Sequence, residues 1–353
     1  MAIQNFSTAA GRINKLKGEI LAHAVPVEVL GITGQMKKMP KNKGDTVIYR
    51  SWLPYGATLS YAQNVSGAMG INVPQANPAL HLVTEGVTPN ADVVTPRDVS
   101  VQLLEYACLY AITDKTFDMY EDDVPAEMKQ QTGERMGLLR EMIRWGVLKA
   151  GTNAFYSGGT TLATVSNVLS YNFVSKISRS LLANHGKMIT KVLAAGPNFA
   201  TSPVEAGFIV FCHTDCEHDI RQLPDFVPVA KYAQRKPLSP EELGSLGRFR
   251  FIVSPELSST PNVGVAVGAT GLLSTGGVNI DVYPVVVVAE DAWGDVALRG
   301  TNSFDPTWIP PGQKDKNDPL GQRGYVGAKF YSASFIANPG WMATGWVGVT
   351  ALS

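Results

Sequence analysis

A chain of 353 residues with 45% hydrophobic and only 17% charged side chains can bury a sizeable core, yet it falls short of the roughly 25% charge of an average soluble domain. Its 30 basic and 30 acidic residues cancel, which argues against a dedicated nucleic-acid binder and leaves a free monomer poorly protected against association. Three cysteines without a spacing framework argue against a disulfide scaffold and for a reducing compartment. The N-terminus lacks a signal-peptide core, and the longest aliphatic run, VYPVVVVA at 282–289, is far short of the roughly 20 residues that cross a bilayer.

Residues 1–44 are weakly patterned and mildly basic at KKMPKNKGD, as in an arm with little core of its own. From Asp45, DTVIYRSWL alternates as a strand, with Val47, Tyr49 and Leu53 on one side and Ile48, Arg50 and Trp52 on the other. The stretch 54–97 is rich in Gly, Pro, Asn, Ser and Thr, with no helical period. DVSVQLLEYACLYAITD (98–114) then reads as a long β-branched and aromatic strand. Two strands around so long a polar stretch predict a projecting hairpin or long loop, each arm reaching up to roughly 70 Å at about 3.3 Å per residue. Trp52, Tyr55 and Tyr61 are its candidate interface anchors, because aromatic side chains often dominate interfaces, while each reads equally well as a core position.

Residues 123–152 form the longest helix candidate. Met128, Met136, Leu139, Met142, Ile143 and Val147 make its apolar stripe, and Glu127, Lys129, Glu134, Arg135 and Arg140 much of its polar face. A second helix is expected near 175–195, where Ile177, Leu181, Leu182, Met188, Ile189, Val192 and Leu193 keep helical spacing. Short strands and turns alternate from about 207 to 310. Within them, 259–279 is small and glycine-rich, expected to be a flexible surface excursion. The C-terminal part reads as two strands around a turn at Asn338-Pro339-Gly340.

The densest set of potential metal ligands is FIVFCHTDCEHD at 208–219. One reading is a metal-dependent enzyme using Cys212, His213, Cys216 and His218. Against it, no second Cys or His pair follows at a finger-like distance. On the other reading Cys212 ends a buried strand and Asp215 caps the helix that follows. DKNDPLG (315–321) resembles the start of a calcium loop, but position twelve would be Val326 rather than a bidentate Glu, so a turn is expected. GVAVGATG has the wrong spacing for a dinucleotide loop, and neither a Walker-type loop nor a nucleophile elbow occurs. Glu121, Asp122 and Asp123 mark the charged start of a helix. No catalytic, cofactor-binding or metal residue is assigned on this reading, and no cofactor is expected.

The ordered set GDTVIYRSWLPY, LVTEGVTPNADVVTPRDVSVQLLEYACLYAITDKTFD, HTDCEHDIRQLPDFVPVAKYA, GRFRFIVSPEL, VYPVVVVAEDAWGDVALRG and DPLGQRGYVGAKFYSASFIANPGWM resembles the major capsid proteins of tailed bacteriophages. The branch typified by coliphage N-four is the nearest in kind. The resemblance implies an α+β fold with an N-terminal arm (1–44) and a peripheral domain (45–170 and 310–353). That domain carries an extended loop (about 54–97) and a spine helix (about 123–150), and an axial domain (171–309) is inserted before the last strands. Glu85, in the EG-x-TP stretch, joins the candidate interface residues.

The implied function is a subunit that self-assembles into hexamers and pentamers of an icosahedral virion shell around double-stranded DNA, put together in the host bacterial cytoplasm. A neutral subunit would contain the DNA without sequence-specific binding. Heterologous contacts close into rings, and many modest contacts per copy give a stable assembly. The short stretch before the first strand leaves no room for a fused scaffolding segment. A separate scaffolding protein is therefore expected, along with a portal, an optional cement protein outside and no membrane partner.

Overall fold

The computed structural model describes residues 27–39, 44–52, 58–60, 70–72, 83–86, 88, 96–120, 123–189, 206–232, 237–268, 271–298 and 305–352. After a 3-10 turn at Leu30–Ile32 comes β1 (Gln35–Met39). β2 (Thr46–Trp52) is followed by the pair β3 (Thr58–Ser60) and β4 (Gly70–Asn72). The chain returns as β5 (Pro96–Gln102), antiparallel to β2 from Thr46 opposite Gln102 to Trp52 opposite Pro96. The paired strands expected on either side of the polar stretch are therefore present. The single strand expected over 98–114 is instead divided at Leu103, whose N–H donates to the Asp45 carbonyl. Beyond that point β6 (Leu104–Thr113) leaves the ribbon and joins another sheet.

α1 (Asp114–Met119) is one short turn-and-a-half, and α2 (Val124–Lys149) is the long helix. The Asp123 carboxylate accepts from Ala126 N–H and Pro125 occupies the first turn, both strong start signals. At 26 residues, α2 runs for about 39 Å. β7 (Ala154–Tyr156) follows, then α3 (Tyr171–Ala183), capped by Ser170. α3 lies earlier than the expected 175–195. His185 adopts a left-handed φ of 57° and Gly186 N–H bonds back to Leu181, which closes the helix. Met188 and Ile189 are thus helical in spacing but not in conformation, and Ile189 instead pairs with Gly207. Val192 and Leu193 lie outside the described residues.

The remaining elements are β8 (Phe208–Cys212), α4 (Glu217–Arg221), β9 (Val227–Pro228), β10 (Glu242–Leu246), β11 (Phe249–Val253), β12 (Tyr283–Val288), β13 (Trp293–Leu298), β14 (Asp305–Ile309), β15 (Arg323–Ile336) and β16 (Met342–Val347). A seven-stranded sheet runs in the order β7-β16-β12-β8-β11-β10-β9. In β8, Phe208, Val210 and Cys212 face a core beneath α3 and α4. Ile209 and Phe211 face a second core that takes Trp145 and Leu148 from the end of α2. Because both faces are buried, β8 and β12 read as unbroken apolar runs rather than alternating ones.

The second sheet is built on β15. β6 pairs along one edge from Thr113 to Leu104, while β14 and then β13 share the other, and β1 adds to β13 in parallel. α2 covers the face made by Val326, Ala328 and Phe330. Strand pairing crosses the expected cut at 309/310: β13 pairs with β15, and β16 pairs with β12. The two strands around Asn338-Pro339-Gly340 therefore enter different sheets rather than forming a hairpin. The stretch 259–279, expected to be a flexible excursion, is pinned. Buried Asp281 accepts from Asn262 N–H, Thr275 N–H and the Thr275 hydroxyl, at 2.8, 2.9 and 2.7 Å.

Candidate assembly surfaces

The β2–β5 ribbon has two faces of opposite character, set by its period of two. Val47, Tyr49, Val99 and Val101 turn onto the β15 sheet, on the side opposite α2, beside Met39, Leu103, Val296 and Phe335. Tyr49 stacks on Phe335 with ring centroids 5.1 Å apart, and the Lys37 ammonium lies over the Tyr49 ring. On the outer face, Arg50 donates through Nε and Nη2 to the two Asp98 oxygens at 2.7 and 2.8 Å. Either side of that pair stand Ile48, 62% exposed, and Trp52, 61% exposed. Arg50 holds the Asp98 carboxyl below its usual range by hydrogen bonding, and the amide of Gln102 does the same for Asp45.

Of the four expected interface residues, Trp52 is at the outer end of β2 and Glu85 is exposed in a turn with Gly86 at a left-handed φ of 78°. Tyr55 and Tyr61 lie outside the described residues. Ile48 was absent from the expected set, although the alternation in TVIYRSW already puts it on the same face as Trp52.

A second surface is the part of the β15 sheet that the ribbon base leaves open. There Glu105, Ala107 and Leu109 of β6 lie opposite Tyr331, Lys329 and Gly327 of β15. Lys329 and Glu105 approach to 3.4 Å, Leu109 is 49% exposed, and Phe117 and Met119 of α1 continue an apolar margin nearby. Exposed apolar side chains next to satisfied ion pairs are the composition of a contact surface rather than of a fully solvated face.

On the α2 side of the β15 sheet, a buried polar network ties the N-terminal segment to the long helix. Glu141 Oε1 accepts from the backbone N–H groups of Val29 and Leu30 at 2.7 and 2.8 Å. Arg144, one turn on, donates to Asp295 at 2.6 Å, and the Ser334 hydroxyl reaches the other Asp295 oxygen. Burial raises the Glu141 pKa against the lowering effect of those two amides. Nothing in the local sequence marks this group, since a glutamate in a helix looks like a solvated one.

The Cys/His stretch forms no ligand set. Cys212 and Cys216 are buried in the apolar core, and Cys212 Sγ faces the Ile252 carbonyl. Burial pushes the Cys212 thiol up to about 12 and raises that of Cys216. His213 Nδ1 accepts from Asp215 N–H, and His218 bonds Gln222 across one helical turn. Asp215 is not the helix cap that its position implied. His213 caps the 3-10 turn at Thr214–Cys216, and the Asp215 carboxylate accepts from the Tyr283 hydroxyl at 2.7 Å. Among the described residues no three His, Cys, Asp or Glu side chains converge as a metal site. At 315–321 the expected turn forms, with Asp315 and Asp318 bonded to each other's backbone.

No protein-family profile matches the chain. Solved capsids match its fold from end to end. The capsid protein of Ralstonia phage GP4 superposes at a TM-score of 0.64, with 8% identity over 100% of this chain and 99% of the other. That of cyanophage Pam1 gives 0.61 with 14% identity over the whole of both chains. The head of Helicobacter pylori bacteriophage KHP40 gives 0.58 with 12% identity over 99% and 98%. This is the tailed-phage capsid fold. By sequence, a major capsid protein of Pseudomonas phage KPP21 is 21% identical over 263 residues, 69% of this chain. The match spans 65% of that relative, so it covers less than two thirds of its length. Among the described residues, the outer face of the β2–β5 ribbon and the open β15 face both carry exposed apolar side chains.

Proposed function

We propose that this chain is a major capsid protein, a structural subunit whose copies assemble into the shell of a tailed phage. The observation that carries this reading is the match of the fold to capsid subunits over essentially the full chain, joined by a capsid-protein relative in sequence. The outer face of the ribbon fits the role. A two-stranded projection with little core of its own gains its order by lying on a neighbour, which offsets about 1–2 kcal/mol per residue of backbone entropy.

In this reading residues 1–44 are the arm, about 54–97 the extended loop and α2 the spine helix. The β15 sheet with α2 is the peripheral body, and the seven-stranded sheet with α3 and α4 the axial one. That division follows strand pairing rather than a cut at 309/310. Heterologous contacts passed from copy to copy close into hexamers and pentamers. Trp52, Tyr55, Tyr61 and Glu85 contribute to those contacts, and Ile48 joins them. We place the chain nearest the N-four branch, assembling in the host cytoplasm with a separate scaffolding protein, a portal and an optional cement protein. The shell holds double-stranded DNA without reading its sequence. A structural role, with no catalysis, accounts for the buried thiols and occupied histidines of the 212–218 stretch.

Negative-stain electron microscopy with light scattering on the purified chain, with and without its neighbouring phage gene products, tests this reading. Rings, tubes or shells are expected. Monomers under every condition, together with one tightly held zinc per chain, would overturn it.

A further inference from the structure

Helix α3 turns Phe173, Val174, Ile177 and Leu181 into the core beneath it. That leaves Tyr171, Ser175, Arg179 and Leu182 beside an open groove of about 560 Å³, whose far wall is the β10–β11 turn. Gly247, at a left-handed φ of 55°, reverses the chain there, so that Leu246 pairs with Phe249 and Arg248 stands exposed at the tip.

Two features mark this groove. Arg50, Arg140, Arg144, Arg221 and Arg250 each face a carboxylate. Among the described residues Arg135, Arg179, Arg248 and Arg323 have no carboxylate ion pair, and of these Arg179 and Arg248 line the same groove. The surface around them is apolar. Phe249 and Val174 form its buried floor, while Tyr171 and Leu182 remain 46% and 38% exposed along its rim. Unpaired guanidinium groups above an apolar floor are complementary to carboxylates carried beside bulky aliphatic side chains. Duplex DNA presents mainly phosphates and polar base edges, with only isolated thymine methyls to meet Leu182 and Phe249, and a single strand needs several exposed stacking rings where Tyr171 alone stands exposed beside a buried Phe249.

We propose that the groove between α3 and the β10–β11 turn docks an acidic amphipathic peptide segment of a partner protein. Arg179 and Arg248 take its carboxylates, and the floor at Val174 and Phe249 takes its apolar side chains. This site lies away from the ribbon and does not depend on the capsid reading.

The test is fluorescence anisotropy on the full chain with three labelled probes: a Glu/Leu amphipathic peptide of about twelve residues, matched to the length of α3, its Lys/Leu counterpart, and an oligothymidylate. The Glu/Leu peptide is expected to bind and the Lys/Leu peptide not to. R179E with R248E is expected to weaken binding by about tenfold or more while the circular dichroism stays unchanged. L182A, at an exposed position, is expected to weaken it about threefold. No binding of the Glu/Leu peptide, equal binding by the double variant, or preference for the oligothymidylate would each overturn the proposal.

Discussion

The seven-stranded sheet and the β2–β5 ribbon are both β-structure, and they are stabilised in opposite ways. β8, β10, β12 and β16 are buried residue after residue. The ribbon alternates exposed and covered positions, and its covered face is the one borrowed from the β15 sheet. The first region is held by its own two cores. The second is held by one stacked face and a ladder of backbone bonds, with its other face open to whatever lies beside it. On the proposed capsid reading, a subunit that folds alone and then joins others draws on both kinds of region.

The contrast predicts a descending series of effects. Phe211→Ala removes a fully buried ring from the second core and is expected to cost about 3–5 kcal/mol in urea unfolding, lowering the midpoint for the whole chain. Glu141→Ala leaves the amides of Val29 and Leu30 and the Arg144 guanidinium short of an acceptor. A loss of about 3 kcal/mol is expected. Hydrogen exchange should then speed up at Val29 and Leu30 before it does in β8. Uniform loss of protection would show instead that the N-terminal segment is not separately latched.

On the ribbon, Ile48→Ser with Trp52→Ser should change unfolding stability by no more than about 0.5 kcal/mol, because neither side chain is covered in the subunit. Assembly should nevertheless fall sharply in particle counts by electron microscopy. Normal particle yield would remove the outer face from the assembly surfaces. The smallest effect is that of pH. The folded pKa of Asp98 lies below its ordinary value because Arg50 bonds the carboxylate. The Arg50–Asp98 contribution is therefore complete above about pH 4 and lost as pH falls through the folded value. Exchange of β2–β5 amides should quicken in acid, and Asp98→Asn should remove that dependence while leaving β8 unaffected.

Several of these features were readable in the chain. The alternation of TVIYRSW assigned Trp52 and Ile48 to one face, and the acids ending at Asp123 marked where α2 begins. Other features misled. The helical spacing of Met188 and Ile189 persists past the end of α3, because a left-handed His185 and a Gly186 cap stop a helix without changing which side chains are buried. The glycine-rich stretch 259–279 looked mobile because its anchor, Asp281, lies beyond it in sequence. The crowded ligands at 212–218 are neighbours in sequence, but strand-to-helix geometry sends the thiols inward and gives the imidazoles local partners.

The sequence alone determined much of the local conformation: the alternation of β2, the charged start and long apolar stripe of α2, and a long polar stretch separating two strands. These depend on side-chain periodicity and capping, which act within a few residues. Only the tertiary structure decided that β13 and β16 cross between the two sheets, that Glu141 grips Val29 and Leu30, and that Arg179 and Arg248 share one groove. Those outcomes join groups far apart in the chain, where strand edges and buried charges find partners by packing rather than by spacing.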